Sequence, residues 1–249
     1  MTAAAMPGAG WVVLGLCAFL IGLAKSGLPG VGILVVPLAA AILPARASTG
    51  LILPLLIAGD VLAVRRFRRH AEWGQLLRLL PPAFAGVLIG YWMMNRVTDA
   101  QLRPLIGGVI LGLLILGLLR ARRGDAVPAA PRPGLAVATG LLAGITTMLA
   151  NAAGPIMTLY LLSMRLPKAA FIGTGAWYFL LINCVKVPFS MQLGLITMDS
   201  LWINLPLLPF VWAGSQAGRW LLSVTPQNRF ETIVRVLAAT AAIRLLIPA

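Results

Sequence analysis

The chain alternates long apolar runs with short polar or basic stretches. The apolar runs fall at 10–24, 28–43, 47–64, 75–94, 102–119, 135–149, 153–163, 171–190, 200–222 and 230–248. A helix needs about 20 apolar residues to cross a ~30 Å hydrocarbon core, and six of these runs approach or exceed that length. The other four are shorter. Two flank the break at Lys25-Ser26-Gly27-Leu28-Pro29-Gly30-Val31-Gly32, and two flank Asn151-Ala152-Ala153-Gly154-Pro155. Within hydrocarbon a helix satisfies its own backbone, so the pattern predicts an all-α integral membrane protein. Each short pair is either one broken crossing or a re-entrant hairpin that returns to the side it came from.

Loop charge separates these two options. With two hairpins, six helices cross and the loops at 65–78, 120–132, 165–168 and 219–235 share one side. That side then carries Arg65, Arg66, Arg68, Arg69, Arg78, Arg120, Arg122, Arg123, Arg132, Arg165, Lys168, Arg219, Arg229 and Arg235. The other side keeps Arg46, Arg96, Arg103 and Arg244. Two broken crossings would instead separate Arg165, Lys168, Arg219, Arg229 and Arg235 from the rest of the first group. Basic residues concentrate in cytoplasmic loops, so hairpins are expected, with both termini outside.

The halves also match in order. LPARASTG at 43–50 aligns with LPKAAFIG at 166–173, and AGVLIGYW at 85–92 with AGSQAGRW at 213–220. A unit of three crossings and one hairpin has an odd number of crossings, so its second copy is inverted, as in many secondary transporters. The expected organisation has a first repeat at 1–119, with hairpin 10–43 and helices 47–64, 75–94 and 102–119. A cytoplasmic linker at 120–134 follows. The second, inverted repeat is 135–249, with hairpin 135–163 and helices 171–190, 200–222 and 230–248.

Composition narrows the class further. Of 249 residues, 60% are hydrophobic and 10% charged, against about 25% charged in a soluble domain. Mean hydropathy is +0.95. The start, MTAAAMPGAG, lacks a basic n-region and a cleavage site ahead of polar mature sequence, so no removable signal peptide is expected. The net charge of +14 would point to nucleic acid in a soluble chain. Here the basic residues lie in short loops, so the bilayer is the expected partner and nucleic acid is not. Cys17 and Cys184 lie in apolar runs without CxxC or Cys/His spacing, so neither metal nor cofactor is expected. Lys25 and Ser26 are adjacent and diverge by about 100° on a helix, which removes a Ser–Lys dyad, and no enzyme chemistry is expected. The GxxxG pairs Gly86/Gly90, Gly108/Gly112, Gly140/Gly144 and Gly214/Gly218 are read as close helix packing.

Two lysines and one acid stand out inside apolar runs. A charge deep in the bilayer costs at least a few kcal/mol on insertion scales. Lys25 lies about 15 residues from the start of its run, which argues against snorkelling. Gly27 and Gly30 allow close backbone approach, and Pro29 suits the first turn of the half-helix that follows. The free N–H groups of that half-helix, with Lys25 and Ser26, make an anion site. In the second hairpin, Asn151, Ala152 and Gly154 take the corresponding place. Lys186 lies on the next full helix, with Asn183 three residues earlier on the same face. The plainer alternative for Lys186 is a helix end at Pro188. Asp60 aligns with Asn183 between the halves and is either an ion-pair partner for Lys25, Lys186 or Arg65, or a proton or coupling site.

These segments also carry a resemblance. GLAKSGLPGVGILVVPL and LPLLIAGDVLAV in the first half, with GLLAGITTMLANAAGPIMTLYLL and FIGTGAWYFLLINCVKVPFS in the second, resemble the sulfite exporter TauE/SafE family over nearly the whole chain. The resemblance implies transport of small sulfur oxyanions or organosulfonates, such as sulfite or sulfoacetate, across the cytoplasmic membrane of a prokaryote. The residues alone imply an anion held near the midplane between two hairpins. The expectation is a secondary transporter of a small organic or inorganic sulfur anion, multi-pass in the cell membrane, as monomer or homodimer. An anion channel of the same architecture is one alternative. Another is a cation or metabolite carrier centred on Asp60, with Lys25 as its tethered counter-ion.

Overall fold

The computed structural model describes residues 8–40, 42–43, 45–94, 96 and 133–246. The expected helix at 102–119, with Gly108 and Gly112, and residues 120–132 of the linker lie outside the described residues. Every regular element among those described is helical. They are α1 (Gly8–Ser26), a 3-10 turn (Pro29–Leu34) running into α2 (Val35–Ala40), α3 (Ala45–Phe67), α4 (Trp73–Met93), α5 (Pro133–Ala150) and α6 (Ala153–Ser163). Then come α7 (Lys168–Gln192), α8 (Met198–Asn204), α9 (Leu208–Val224) and α10 (Gln227–Leu246). Among the described residues α1, α3, α4 and α7 are long and apolar enough to cross a membrane.

Two boundaries differ from the sequence pattern. α1 continues through Lys25 to Ser26 instead of ending before the charge. A cation in the last turn faces the negative end of the helix dipole, so the lysine extends the helix. The run at 200–222 is divided between α8 and α9 by a 3-10 turn, Leu205–Leu207. Pro206 and Pro209 each lack an N–H to continue the ladder, and the chain tightens there.

Glycine sets how the helices pair. A methyl group at Gly214 would land on the backbone of Phe19, one at Gly22 on that of Val211, and one at Gly27 on that of Gly218, so α1 and α9 lie backbone to backbone. Along the second seam, Gly86 and Gly144 face each other, Gly140 meets Leu79, and Gly90 meets Ile145 and Met148, which joins α4 to α5. Contacts advance in step along both members, so each pair runs in the same direction. The described GxxxG pairs all lie at these seams, where small residues let backbones touch. α3 and α7 pack together between the seams, since α3 also touches α1 and α9, and α7 also touches α4. Gly50 meets Leu195 at one end of this pair and Gly173 meets Phe67 at the other, so α3 and α7 are antiparallel.

The helix ends sort by charge. The backbone N–H of Glu72 donates to Thr174 Oγ1 at 2.9 Å, and Tyr160 OH donates to Gln75 Oε1 at 2.8 Å. Lys168 Nζ reaches the carbonyls of Leu222 and Thr225 at 2.6 and 2.8 Å. These bonds gather the ends of α3, α6 and α9 and the starts of α4 and α7 at one face, which carries Arg65, Arg66, Arg68, Arg69, Arg165, Lys168 and Arg219. α5 leaves that face alongside α4, and α6 brings the chain back to it at Tyr160.

Candidate functional site

The α3–α7 pair presents a column of buried charged and amide side chains. On α7, Phe179, Asn183 and Lys186 recur at helical spacing and share one face. Lys25 Nζ, from the end of α1, lies 2.8 Å from Asp60 Oδ1 and 4.0 Å from the centre of the Phe179 ring. Asn183 Nδ2 donates to Asp60 Oδ2 at 2.7 Å. Asp60 is completely buried, and its carboxylate is held by a cation and an amide, the pairing that a buried charge requires.

Lys186 is also completely buried. Its ammonium donates to Asn151 Oδ1 at 2.5 Å and to Thr147 Oγ1 at 3.1 Å. Asn151 Nδ2 in turn donates to the Thr49 carbonyl at 3.0 Å, which ties the α5–α6 turn to the start of α3. Asn151 has φ 53°, in the left-handed region that asparagine tolerates better than most residues. The turn delivers the chain into α6, whose first turn has no side-chain cap. At Gly154, in that turn, an added Cβ would meet nothing within 4 Å. An open space therefore adjoins an uncapped helix N-terminus, where backbone N–H groups lack intrahelical partners.

The two lysines differ in electrostatic state. Lys25 has the Asp60 carboxylate, whereas Lys186 contacts no carboxylate among the described residues. An ammonium has three N–H donors, and two of those on Lys186 are engaged. Beside it, Asn183 Oδ1 is buried without a hydrogen-bond partner. With all three groups ionised, two lysines and one aspartate give the column one net positive charge. Such an arrangement can hold a small anion by one charge-assisted hydrogen bond and a set of backbone N–H groups.

The family described as sulfite exporter TauE/SafE matches residues 14–245, a span that includes both chain breaks and the whole polar column. The chain belongs to the sulfite exporter TauE/SafE family. No significant match was found among curated proteins or among solved structures. Membership makes this a multi-pass membrane transporter of the sulfite-exporter kind.

Within this TauE/SafE chain the expected site residues separate into two groups. Lys25, Asp60, Asn183, Lys186 and Asn151 line the column, and Ala152 and Gly154 lead into α6 below it. Ser26, Gly27 and Gly30 lie elsewhere. Ser26 Oγ is 2.7 Å from Ser215 Oγ on α9, Gly27 is enclosed in the α1–α9 seam, and Gly30 packs on the Leu237 side chain of α10. The plainer alternative for Lys186 does not apply, because α7 runs past Pro188 to Gln192. Thr147, Thr49, Phe179 and Ser215 are contacts that the sequence reading did not name. Thr147 is four residues before Asn151, and Phe179 four before Asn183, so helical spacing from the named residues marks both. The Thr49 contact to Asn151 is made by its carbonyl, which no side-chain pattern reveals. Among the described residues no group of acids, histidines and cysteines is arranged to hold a metal.

Proposed function

We propose that this protein is a secondary transporter that binds one small sulfur oxyanion or organosulfonate, sulfite and sulfoacetate among them, between the α5–α6 turn and α7. The observation that carries the reading is Lys186, a fully buried ammonium whose contacts, Asn151 and Thr147, are neutral. A buried charge without an ionic partner is strongly unfavourable, and the transported anion is that partner. The free N–H of Lys186 and the first turn of α6 bind it. The Lys25–Asp60 pair is the balanced neighbour that keeps the net charge at one.

The reading of two inverted repeats is supported by how the halves exchange contacts. The AGxxxGxW helix of each half, α4 or α9, packs on the first arm of the other half's hairpin, α5 or α1. Transport then proceeds by rocking of one repeat against the other, which accumulates anion against a gradient, whereas a channel only dissipates one. In this reading the basic face is cytoplasmic and both termini lie outside the cell membrane. Single cysteines at Thr2 and Ala249, in a background lacking Cys17 and Cys184, are expected to react with an impermeant maleimide on intact cells. Protection of either position overturns this topology.

The Lys25–Asp60 pair itself favours a second reading, the carrier of a cation or metabolite centred on Asp60. The two readings part at Asp60→Asn. With an anion substrate, this change adds net positive charge to the column. Sulfite is then expected to bind several-fold tighter by thermal shift, while turnover in proteoliposomes falls more than tenfold. Unchanged anion affinity, with loss of a cation-dependent flux, establishes the second reading instead.

A further inference from the structure

A separate pocket opens at the basic face between α1, α3 and α9. Arg65, Arg66, Gln216 and Arg219 stand around it, and Ser26 and Ser215 form its buried floor. It encloses about 220 Å³, where one water occupies roughly 30 Å³ of the liquid. That is room for a small oxyanion with part of its hydration shell. Among the described residues none of the three arginines has a carboxylate within ion-pair distance. Three like charges around the rim of one pocket repel each other, and an anion bound among them offsets that repulsion. The floor adds a matching group. In the Ser26–Ser215 pair one hydroxyl donates to the other, which leaves the second O–H of the pair available as a donor. Ser26 directly follows Lys25, so the floor is the boundary between this pocket and the buried column.

We infer that the pocket is a second oxyanion-binding station at the basic mouth of the transport path. There Arg65, Arg66, Arg219, Gln216 and the serine pair hold the substrate before it passes inward to Lys186. Guanidinium forks suit the oxygens of sulfite and sulfonates, and clefts lined by one sign of charge raise the local concentration of the opposite one. The identity of the ligand rests on the sulfur-anion reading given above. A lipid headgroup phosphate offers the same chemistry, but the depth of the floor, with Ser26 2% exposed, fits a free ion that moves inward.

The test combines direct binding with sided kinetics. Trp212 lines the pocket, so the part of the fluorescence response to sulfite that is lost in Trp212→Phe reports on it. That part is expected to vanish in Arg65→Gln/Arg219→Gln and to persist in Lys186→Met. In vesicles of phosphatidylcholine alone, the double variant is expected to raise KM for sulfite about tenfold at the basic face. Its kcat should stay within twofold, and KM at the opposite face should not change. The exposed arginines are not needed for packing, so matched unfolding temperatures are expected. Should they differ, Gln216→Ala gives the same comparison with a milder change. Equal KM at the basic face, or a rise at both faces, overturns the station. A rise seen only when phosphatidylglycerol is added assigns the pocket to lipid and likewise overturns it. A Trp212 response to sulfite without any saturable sulfite transport keeps the pocket and removes the transport reading.

Discussion

Lys186→Met is expected to abolish sulfite transport in proteoliposomes, at least a hundredfold below wild type, and to cut stabilisation by sulfite in a thermal shift to the part that the basic-face pocket contributes. The same change should leave the folded protein nearly as stable as before. Two terms decide this. Methionine has similar length, and exchanging a buried charge that lacks an ionic partner for an apolar group is commonly neutral or stabilising. Against that, Asn151 Oδ1 and Thr147 Oγ1 lose the Lys186 donor, at about 1–3 kcal/mol for each buried group left unsatisfied. The net change in stability is small, while the proposed anion site loses its ammonium. Lys25→Met behaves in the opposite way. It strands the fully buried Asp60 carboxylate, and breaking a buried pair on one side costs about 3–5 kcal/mol. Its transport defect is therefore accompanied by a lower unfolding temperature, and Lys25→Met/Asp60→Asn recovers much of that stability. Transport by Lys186→Met within threefold of wild type removes Lys186 from the site.

Gly214→Val is expected to prevent accumulation of folded protein. A Cβ at this position would sit on the Phe19 carbonyl, a backbone atom that cannot rotate away. The α1–α9 seam then has to open along its whole length, since Gly22, Gly27 and Gly218 depend on the same close approach. Overpacking in a well-filled core costs about 1–3 kcal/mol, and the wedge between two backbones lies at or above the top of that range. Gly154→Ala is the matched comparison, because its Cβ enters open space. That variant is expected to fold with an unfolding temperature within about 2 °C of wild type, while the added methyl narrows the space at the start of α6 and raises KM. The check is size-exclusion profile and unfolding temperature in detergent for both, with transport for the second. Normal folding of Gly214→Val contradicts the seam.

The two substitutions show why the candidate site was partly legible. Lys25, Asp60 and Lys186 are visible as charges in apolar runs because insertion into hydrocarbon is costly enough to make each exceptional. Asn183 and Asn151 follow from helical spacing and from the break before Gly154. The pairing among them is not written in any local pattern. The sequence permits Asp60 to meet Lys25, Lys186 or Arg65, and only the approach of α1 to α3 selects Lys25. Ser26, Gly27 and Gly30 lie close to Lys25 in the chain and yet face other helices. Their neighbours come from α9 and α10, some 190 to 210 residues away in the chain, where adjacent residues on a helix face different partners.

What the sequence determined by itself is the solvent, the helical class, the two chain breaks, the repeat of AGxxxGxW and the family. Each follows from one-dimensional quantities, namely the length of apolar runs, the spacing of small residues and the placement of basic loops. What only the tertiary structure decided is which lysine is neutralised by a carboxylate and which has neutral contacts. That difference turns on a carboxylate 2.8 Å from one ammonium and on an asparagine and a threonine at the other. Electrostatic pairing in a low-dielectric interior depends on distances of a few ångströms, and those are set by how α1, α3, α5 and α7 pack, not by the order of residues along any one of them.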